Sequence, residues 1–341
     1  MALYRVLALL FCISLFAIAC ERADVDQETS SVTGPYDLPT GFPPLEIPES
    51  NAFSKERWDL GKKIFYDKRL SADTSISCGT CHKPSFAFAD TQATTPGILG
   101  RPGFRNVPSL ANIAYHPYFL REGSVPTLEM QVLVPISEHN EFGFNMALLV
   151  ERLSTDKEYQ ELSLQAYNRS LDAFVITRAL ANFERSLLSG NSRYDHYRNG
   201  RKDALSKQEL EGMTLFFSSR TQCASCHAGF NFTNYEFANN GIYKDYTDEG
   251  RYRLTRKEVD KSLFKIPGLR NLGYTAPYMH DGSMKTIDDV LKHYNSGGQG
   301  HPNQSTLIKP LGLKANELDA LKAFLFALDD ASFINNAHFR E

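Results

Sequence analysis

The feature that most constrains this chain is the pattern Cys-x-x-Cys-His, which occurs twice. The copies occupy residues 78–82 and 223–227, and they start 145 positions apart in a chain of 341 residues. Two thiols at this spacing can bond to both vinyl groups of one haem while the following imidazole reaches the iron. The pattern therefore predicts two haem c groups, one in each half of the chain. The six residues assigned to them are Cys78, Cys81, His82, Cys223, Cys226 and His227.

Two other readings of the cysteine pairs are weighed against haem attachment. Four cysteines can hold a structural zinc ion, although such a site does not require a histidine after both pairs. A thioredoxin-like pair needs a βαβ context, which the sequence around these pairs does not supply. The zinc site is the alternative that a structure can test.

The N-terminus has the pattern of an export signal. Arg5 precedes an apolar run over 6–19 that is too short to cross a bilayer comfortably, and small residues precede Cys20. We predict a lipoprotein signal peptide over 1–19, lipidation of Cys20 and a flexible tether over 20–50 that is polar and proline-rich. The alternative is an ordinary signal peptide cut nearby. Both predict an exported, periplasmic protein, and lipidation would make the N-terminal lipid its membrane contact.

Composition excludes several function classes. With 42% hydrophobic, 12% aromatic and 23% charged residues, the sequence is typical of a globular domain rather than a disordered or polytopic membrane protein. The formal net charge of −3 lacks the basic excess of nucleic-acid-binding proteins, so no nucleic-acid partner is expected.

An internal repeat supports a duplicated architecture. Residues 108–115 align with 267–274, and the match continues without a gap to 127–129 against 286–288. The capping box from Ser206 to Glu209 predicts the start of one helix, and Asn316 to Asp319 predict the start of another near the C-terminus. Residues 145–153, 171–188 and 286–294 also have helical periodicity. We predict an all-α fold of two domains, each with one covalently attached haem. The expected bounds are 51–199 for the first, 200–313 for the second and 314–341 for a C-terminal helix and tail.

The position on each iron opposite the histidine decides what each haem can do. A haem with both axial positions filled transfers electrons, whereas an open position can bind peroxide or dioxygen. The segment 91–105 after the first motif contains no His, Met or Tyr and has Ile98 and Leu99 instead. We therefore predict an open first haem and a six-coordinate second haem. The candidate ligands after the second motif are Met279, His280, Met284, His293 and Tyr294.

On these residues the chain resembles the bacterial di-haem cytochrome c peroxidase family, which includes the quinone-maturation enzyme MauG. The resemblance extends from Pro43 to about Pro310, and its most specific motifs lie at 60–71, 105–110, 275–282 and 294–298. It implies two cytochrome-c-like domains whose haems are held apart, with a Ca²⁺ between them. It also implies a homodimer as a candidate assembly.

The resemblance assigns peroxide chemistry to the first haem. It implies that Gln131, Pro135 and Glu141 line the open face and that Glu141 moves a proton between the two peroxide oxygens. In isolation, Glu141 would be interpreted as a solvated surface acid and Gln131 as part of a polar helix face.

The resemblance also assigns a calcium site. Its ligands would be the side chain of Asn106, the carbonyls of Thr275 and Pro277, and water molecules. Taken alone, Asn106 would be interpreted as a turn residue.

Three positions depart from the common pattern of the family. Ile98 stands where many members have a histidine that closes the peroxidatic iron, so we expect that iron to be open without prior reduction. Arg121 stands where members usually carry a tryptophan between the haems. Tyr294 occupies the distal position of the second haem, as in MauG, with Met279 and His293 as its rivals.

The resemblance implies a peroxidase that reduces hydrogen peroxide to water with electrons from a small periplasmic cytochrome c or copper protein. One alternative is a MauG-like oxidase that modifies Trp or Tyr residues of a partner protein. The other is a di-haem electron carrier without substrate chemistry, which would need two six-coordinate irons.

Overall fold

The structure is a computed structural model that describes residues 38–341. These residues lie within one compact unit. The predicted signal peptide, Cys20 and the first part of the tether fall outside the described residues. No helix among residues 38–341 is both long and apolar enough to cross a membrane.

The regular structure of residues 38–341 consists of short helices, 3₁₀ turns and one small antiparallel sheet, which confirms the predicted helical class. The sheet pairs β1 (Phe237–Ala238) with β2 (Phe264–Lys265). The helices are α1 (Lys55–Tyr66), α2 (Cys78–Cys81), α3 (Leu128–Gln131), α4 (Leu133–Ser137), α5 (Met146–Ser154), α6 (Lys157–Tyr167), α7 (Ala173–Arg185), α8 (Arg193–Arg198), α9 (Lys207–Phe216), α10 (Tyr252–Thr255), α11 (Ile287–Ser296), α12 (Ala315–Phe326) and α13 (Ala331–Ile334).

Two helix pairs, α1 with α7 and α9 with α12, form the packed centre of each half. Gly61 in α1 lies against the backbone of Ala179, and Gly212 in α9 lies against the backbone of Ala320 in the same way. A β-carbon at either glycine would clash with the facing carbonyl oxygen. The absence of a side chain therefore lets each pair of helix backbones touch.

Each helix pair has its own hydrophobic core. The first contains Phe65, Phe88 and Phe183, and the second contains Phe216, Phe232 and Phe324, all of them buried.

The predicted C-terminal segment 314–341 contributes to both cores. Helix α12 belongs to the second core through Phe324, whereas Phe333 and Phe339 pack in the first core. A domain boundary after residue 313 would separate α12 from α9, the helix it packs on. The domain bounds stay predictions.

The sequence repeat is visible in the backbone. Asn112 and Asn271 are both fully buried, have positive φ angles of 59° and 65°, and precede the 3₁₀ turns Ile113–Tyr115 and Leu272–Tyr274. Asparagine tolerates this left-handed conformation better than most residues. The same turn therefore follows each Cys-x-x-Cys-His motif, at corresponding positions of the repeat.

Candidate functional site

The first Cys-x-x-Cys pair lies on the single helical turn α2. Ser77 begins this turn, and its backbone N–H donates to the Thr80 hydroxyl at 3.0 Å. Both thiols are free and half-buried. Burial raises the pKa of Cys78 and raises that of Cys81 to about 12, with nearby carboxylates adding to both shifts. The cysteines are therefore unpaired thiols presented side by side, as attachment to the two vinyl groups requires.

The histidines that follow the two pairs have the same local geometry. The Nδ1 atom of His82 lies 2.7 Å from the carbonyl oxygen of Phe88, and that of His227 lies 3.1 Å from the carbonyl oxygen of Phe232. Because a carbonyl can only accept, Nδ1 carries the hydrogen and the lone pair lies on Nε2. Burial lowers the pKa of both imidazoles and so favours the neutral form. Both rings are therefore in the tautomer that a metal ligand needs.

The two cysteine pairs do not form a common metal site. Within residues 38–341, no three His, Cys, Asp or Glu side chains are grouped so that they could hold a metal ion. The four-cysteine zinc site is therefore not formed by the described residues. Free thiol pairs next to neutral, oriented imidazoles fit haem attachment instead.

Glu141 faces the first attachment site. Its charge is the largest electrostatic contribution to the raised pKa of Cys81, and it also contributes at Cys78. Desolvation and the negative charge of Glu138 raise the pKa of the Glu141 carboxyl, although the side chain stays accessible. Its backbone is fixed, because the carbonyl oxygen accepts from Ile98 N at 3.0 Å. The sequence-predicted acid is thus held beside the first thiols.

The other two residues assigned to this face lie on α3 and α4. The carbonyl oxygen of Pro135 accepts from Phe142 N at 3.2 Å, which places Pro135 beside the Glu141 segment. Gln131 ends α3 one turn earlier and is half-buried. Among the described residues, the structure records no hydrogen bond from the Gln131 side chain to Glu141.

No histidine closes the space next to Ile98 in the described structure. Ile98 itself is buried. The Nδ1 atom of His116 lies 3.0 Å from Lys265 Nζ, and its ring packs on Tyr235. His139 is exposed and lies beside Arg101. The His116 side chain is thus engaged by Lys265 and Tyr235, whereas His139 bonds Arg101, whose N–H donates to the Ile98 carbonyl oxygen.

Asn240 contacts all three candidate ligands of the second site, since its side chain also hydrogen-bonds Tyr294. Its carbonyl oxygen lies 2.9 Å from His293 Nε2, and its Nδ2 lies 3.2 Å from the sulfur of Met279. Those two side chains are therefore engaged by Asn240. Burial raises the pKa of Tyr294 to about 12, and the Cys226 thiol is among the groups that affect it. Tyr294 is thus the candidate that lies close to the second cysteine pair.

Sequence reasoning missed Glu184. This carboxyl lies on α7, its Oε2 atom is buried without a partner, and burial raises its pKa to about 8. Its charge is the first electrostatic contribution to the raised pKa of Cys78, so it lies close to that thiol. The signal in the sequence was an acid one residue after Phe183, in the C-terminal turn of a helix with many apolar residues. An unpartnered buried carboxyl beside the thiols again fits a site built around a bound group.

The predicted calcium ligands are not arranged for a dication. Asn106 is buried, but its carbonyl oxygen and Oδ1 lie 2.7 Å and 3.4 Å from Nη2 of Arg121. The Arg121 guanidinium therefore bonds the backbone carbonyl of Asn106 and lies within hydrogen-bond range of the side-chain oxygen that the resemblance assigned to Ca²⁺. Thr275 and Pro277, whose carbonyls the resemblance implied as further ligands, lie just after the turn Leu272–Tyr274.

Comparison with known proteins places this arrangement in a family. The chain is 34% identical to the methylamine utilization protein MauG of Methylorubrum extorquens, over 91% of this chain and 88% of that protein. The chain belongs to the di-haem cytochrome c peroxidase and MauG family. The sequence profile of the family described as di-haem cytochrome c peroxidase matches residues 55–203.

Relatives within the family bear different functional names. The cytochrome c peroxidase Ccp of Escherichia coli is 30% identical, over 84% of this chain and 61% of that protein. The crystal structure of a MauG-like protein associated with microbial copper homeostasis superposes with a TM-score of 0.85, at 32% identity, over 89% of this chain and 98% of that one. The family therefore establishes di-haem c-type chemistry and leaves peroxidase and MauG-like activity as alternatives.

Proposed function

We propose that the chain is an exported di-haem peroxidase that reduces hydrogen peroxide to water at the haem held by Cys78, Cys81 and His82. Electrons enter at the second haem from a small periplasmic cytochrome c or copper protein. A haem iron with one open axial position supplies the binding and reduction of peroxide. The observation that carries the proposal is that the Glu141 carboxylate lies within electrostatic range of the first thiols, while Ile98 N donates to the Glu141 carbonyl oxygen at 3.0 Å.

Glu141 is assigned the proton transfer. Cleavage of the oxygen–oxygen bond needs a group that takes the proton from the nearer oxygen and returns it to the leaving oxygen. Desolvation raises the pKa of this carboxyl, which brings it closer to neutral pH, where it can do both. Its backbone hydrogen bond to Ile98 keeps it in place for this role.

At the second haem, we assign His227 as the first axial ligand and Tyr294 as the second. Desolvation and the nearby Cys226 and Cys223 thiols raise the pKa of Tyr294, which supports Tyr294 as the candidate beside the cysteine pair. A closed iron suits a role in electron transfer rather than substrate binding.

A MauG-like oxidase is the second candidate function. It is favoured by the position of Tyr294 and by the similarity to MauG and to the copper-associated structure. In that function the oxidising equivalents would pass to Trp or Tyr residues of a partner protein. Arg121 weighs against it, because a guanidinium cannot serve as the oxidisable relay that a tryptophan provides.

The remaining elements of the proposal concern location and assembly. Cys20 is assigned as the lipid attachment site of an exported, periplasmic protein, and a homodimer is retained as the candidate assembly. Calcium is left out because Arg121 lies on the oxygens of Asn106.

A donor assay tests the proposed function. Haem-loaded protein is mixed with reduced small cytochrome c or reduced copper protein, and hydrogen peroxide is added. Peroxidase activity predicts oxidation of two donor molecules for each peroxide consumed. Peroxide consumption without donor oxidation would contradict the proposal. If a partner protein gained mass in the same reaction, the MauG-like function would replace it.

A further inference from the structure

Arg121 lies between two loops that come from different parts of the sequence. Its Nη2 donates to the carbonyl oxygen of Asn106 at 2.7 Å, and the Asn106 side-chain oxygen lies 3.4 Å away. Its own carbonyl oxygen accepts from Lys265 N, in β2, at 2.7 Å. Asn106 N donates in turn to the carbonyl oxygen of His280 at 2.8 Å. One guanidinium thus joins two loops of the first half, and each loop is hydrogen-bonded to the second half.

The charges around Arg121 already balance. Arg105 forms ion pairs with Glu122 at 2.5 Å and with Asp248 at 2.7 Å. The cluster consists of the cations Arg105, Arg121 and Lys265 and the carboxylates Glu122, Asp248 and Asp281. Burial lowers the pKa of the neighbouring His280 and favours its neutral form.

A dication would upset this balance. Ca²⁺ is held by six to eight oxygen ligands, usually with carboxylates among them. Here two oxygens of Asn106 already face a buried cation, and the nearby carboxylates of Glu122 and Asp248 are paired with Arg105. The guanidinium of Arg121 is positively charged, because arginine does not deprotonate in proteins. A calcium ion bound to Asn106 would therefore face an unscreened like charge.

We propose that the guanidinium of Arg121 takes the place of a divalent cation at Asn106, so that this chain joins its two halves at this point without binding calcium. Arg121, which stands where members of the family usually have a tryptophan, also makes the metal ion unnecessary. The inference rests on the hydrogen bonds and the charge balance, and it does not depend on which reaction the haems perform.

The wild-type protein provides the first test. Haem-loaded protein is passed through gel filtration without chelator, and its calcium content is measured by mass spectrometry. The expected result is far below one calcium per chain, together with the same melting temperature in EGTA and in millimolar calcium. One calcium per chain, or a melting temperature that falls in EGTA, would overturn the proposal.

Arg121→Gln tests the bridging role, with Arg251→Gln as the matched control. Arg251 is also half-buried and donates to a backbone carbonyl, that of Glu122, at 2.7 Å, but it does not contact Asn106. In EGTA, Arg121→Gln is expected to melt about 5 °C lower than the control, because it leaves buried oxygens of Asn106 without their cation. Equal melting temperatures would show that the guanidinium is not the bridge. If Arg121→Gln does not fold while the control does, the bridging role of Arg121 is supported. The calcium content of the wild-type protein then decides whether the two halves are joined without calcium.

Discussion

Replacing Glu141 with glutamine removes the proposed proton carrier while keeping the shape of the side chain. Glu141 is held beside the first thiols by its backbone bond to Ile98, so the variant is expected to fold and to load haem normally. Positioned acid–base groups contribute about 10²–10⁴-fold to reaction rates. That range corresponds to about 3–5 kcal/mol of the activation barrier. We expect a loss of this size in the rate constant for reaction with hydrogen peroxide, measured by stopped-flow absorption at the Soret band.

The pH profile gives the sharper result. The working form of Glu141 is the carboxylate, because it must first accept a proton, so the wild-type rate should fall as pH drops through its raised pKa. Glu138→Gln removes the negative charge that helps to raise this pKa. That control should keep the full rate at neutral pH and move the acid limb to lower pH, whereas Glu141→Gln should lose the limb. If Glu141→Gln reacts at the wild-type rate with an unchanged pH profile, the assignment of Glu141 is refuted.

Three further predictions concern packing, the second haem and a buried ion pair. Gly61→Ala and Gly212→Ala should each destabilise the protein by about 2 kcal/mol, because the clash of the new β-carbon with the facing helix costs more than alanine gains in helix propensity. A higher melting temperature for either variant would contradict the close contact between the paired helices. Tyr294→Phe should convert the second haem from a six-coordinate to an open spectrum, while His293→Gln should not; the reverse result would make His293 the ligand. Asp195 pairs with the buried guanidinium of Arg270 at 2.8 Å. Asp195→Asn removes the carboxylate charge from this pair and should lower the free energy of unfolding, measured with denaturant, by about 3–5 kcal/mol. The pairing with Arg270 holds the pKa of Asp195 below its usual value. The stability that the wild-type protein gains from the pair should therefore be present at neutral pH and be lost as the pH falls through the lowered pKa of Asp195. Asp195→Asn should lose this pH dependence.

The sequence was sufficient where the information is local. The capping box predicted the start of α9, where the Ser206 hydroxyl accepts from Glu209 N. The cap predicted at Asn316 was wrong by two residues, because α12 begins at Ala315 and its N-cap is Lys314. The internal repeat predicted a duplicated architecture, and the buried turns at Asn112 and Asn271 lie at corresponding positions of that repeat. These features depend on residues close together in the sequence, and a pattern can carry them.

The contacts that decide the site are not local and could not be predicted in this way. Arg121 meets Asn106 because two loops approach each other, and no periodicity encodes the direction of a guanidinium. Asn240 lies outside both motifs, yet it contacts all three candidate ligands of the second haem. Helix α12 was assigned to a separate tail because its partner α9 lies about a hundred residues earlier in the chain.

The most direct test of the account is to mix fully oxidised, haem-loaded protein with one equivalent of hydrogen peroxide and to follow the Soret band by stopped flow. The account predicts a rapid change without prior reduction, because residues 91–105 after the first motif contain Ile98 and no histidine. No spectral change in the oxidised protein would contradict an open first haem. If reduction of one haem then restored the reaction, the site would be closed by a ligand that the described structure does not place there.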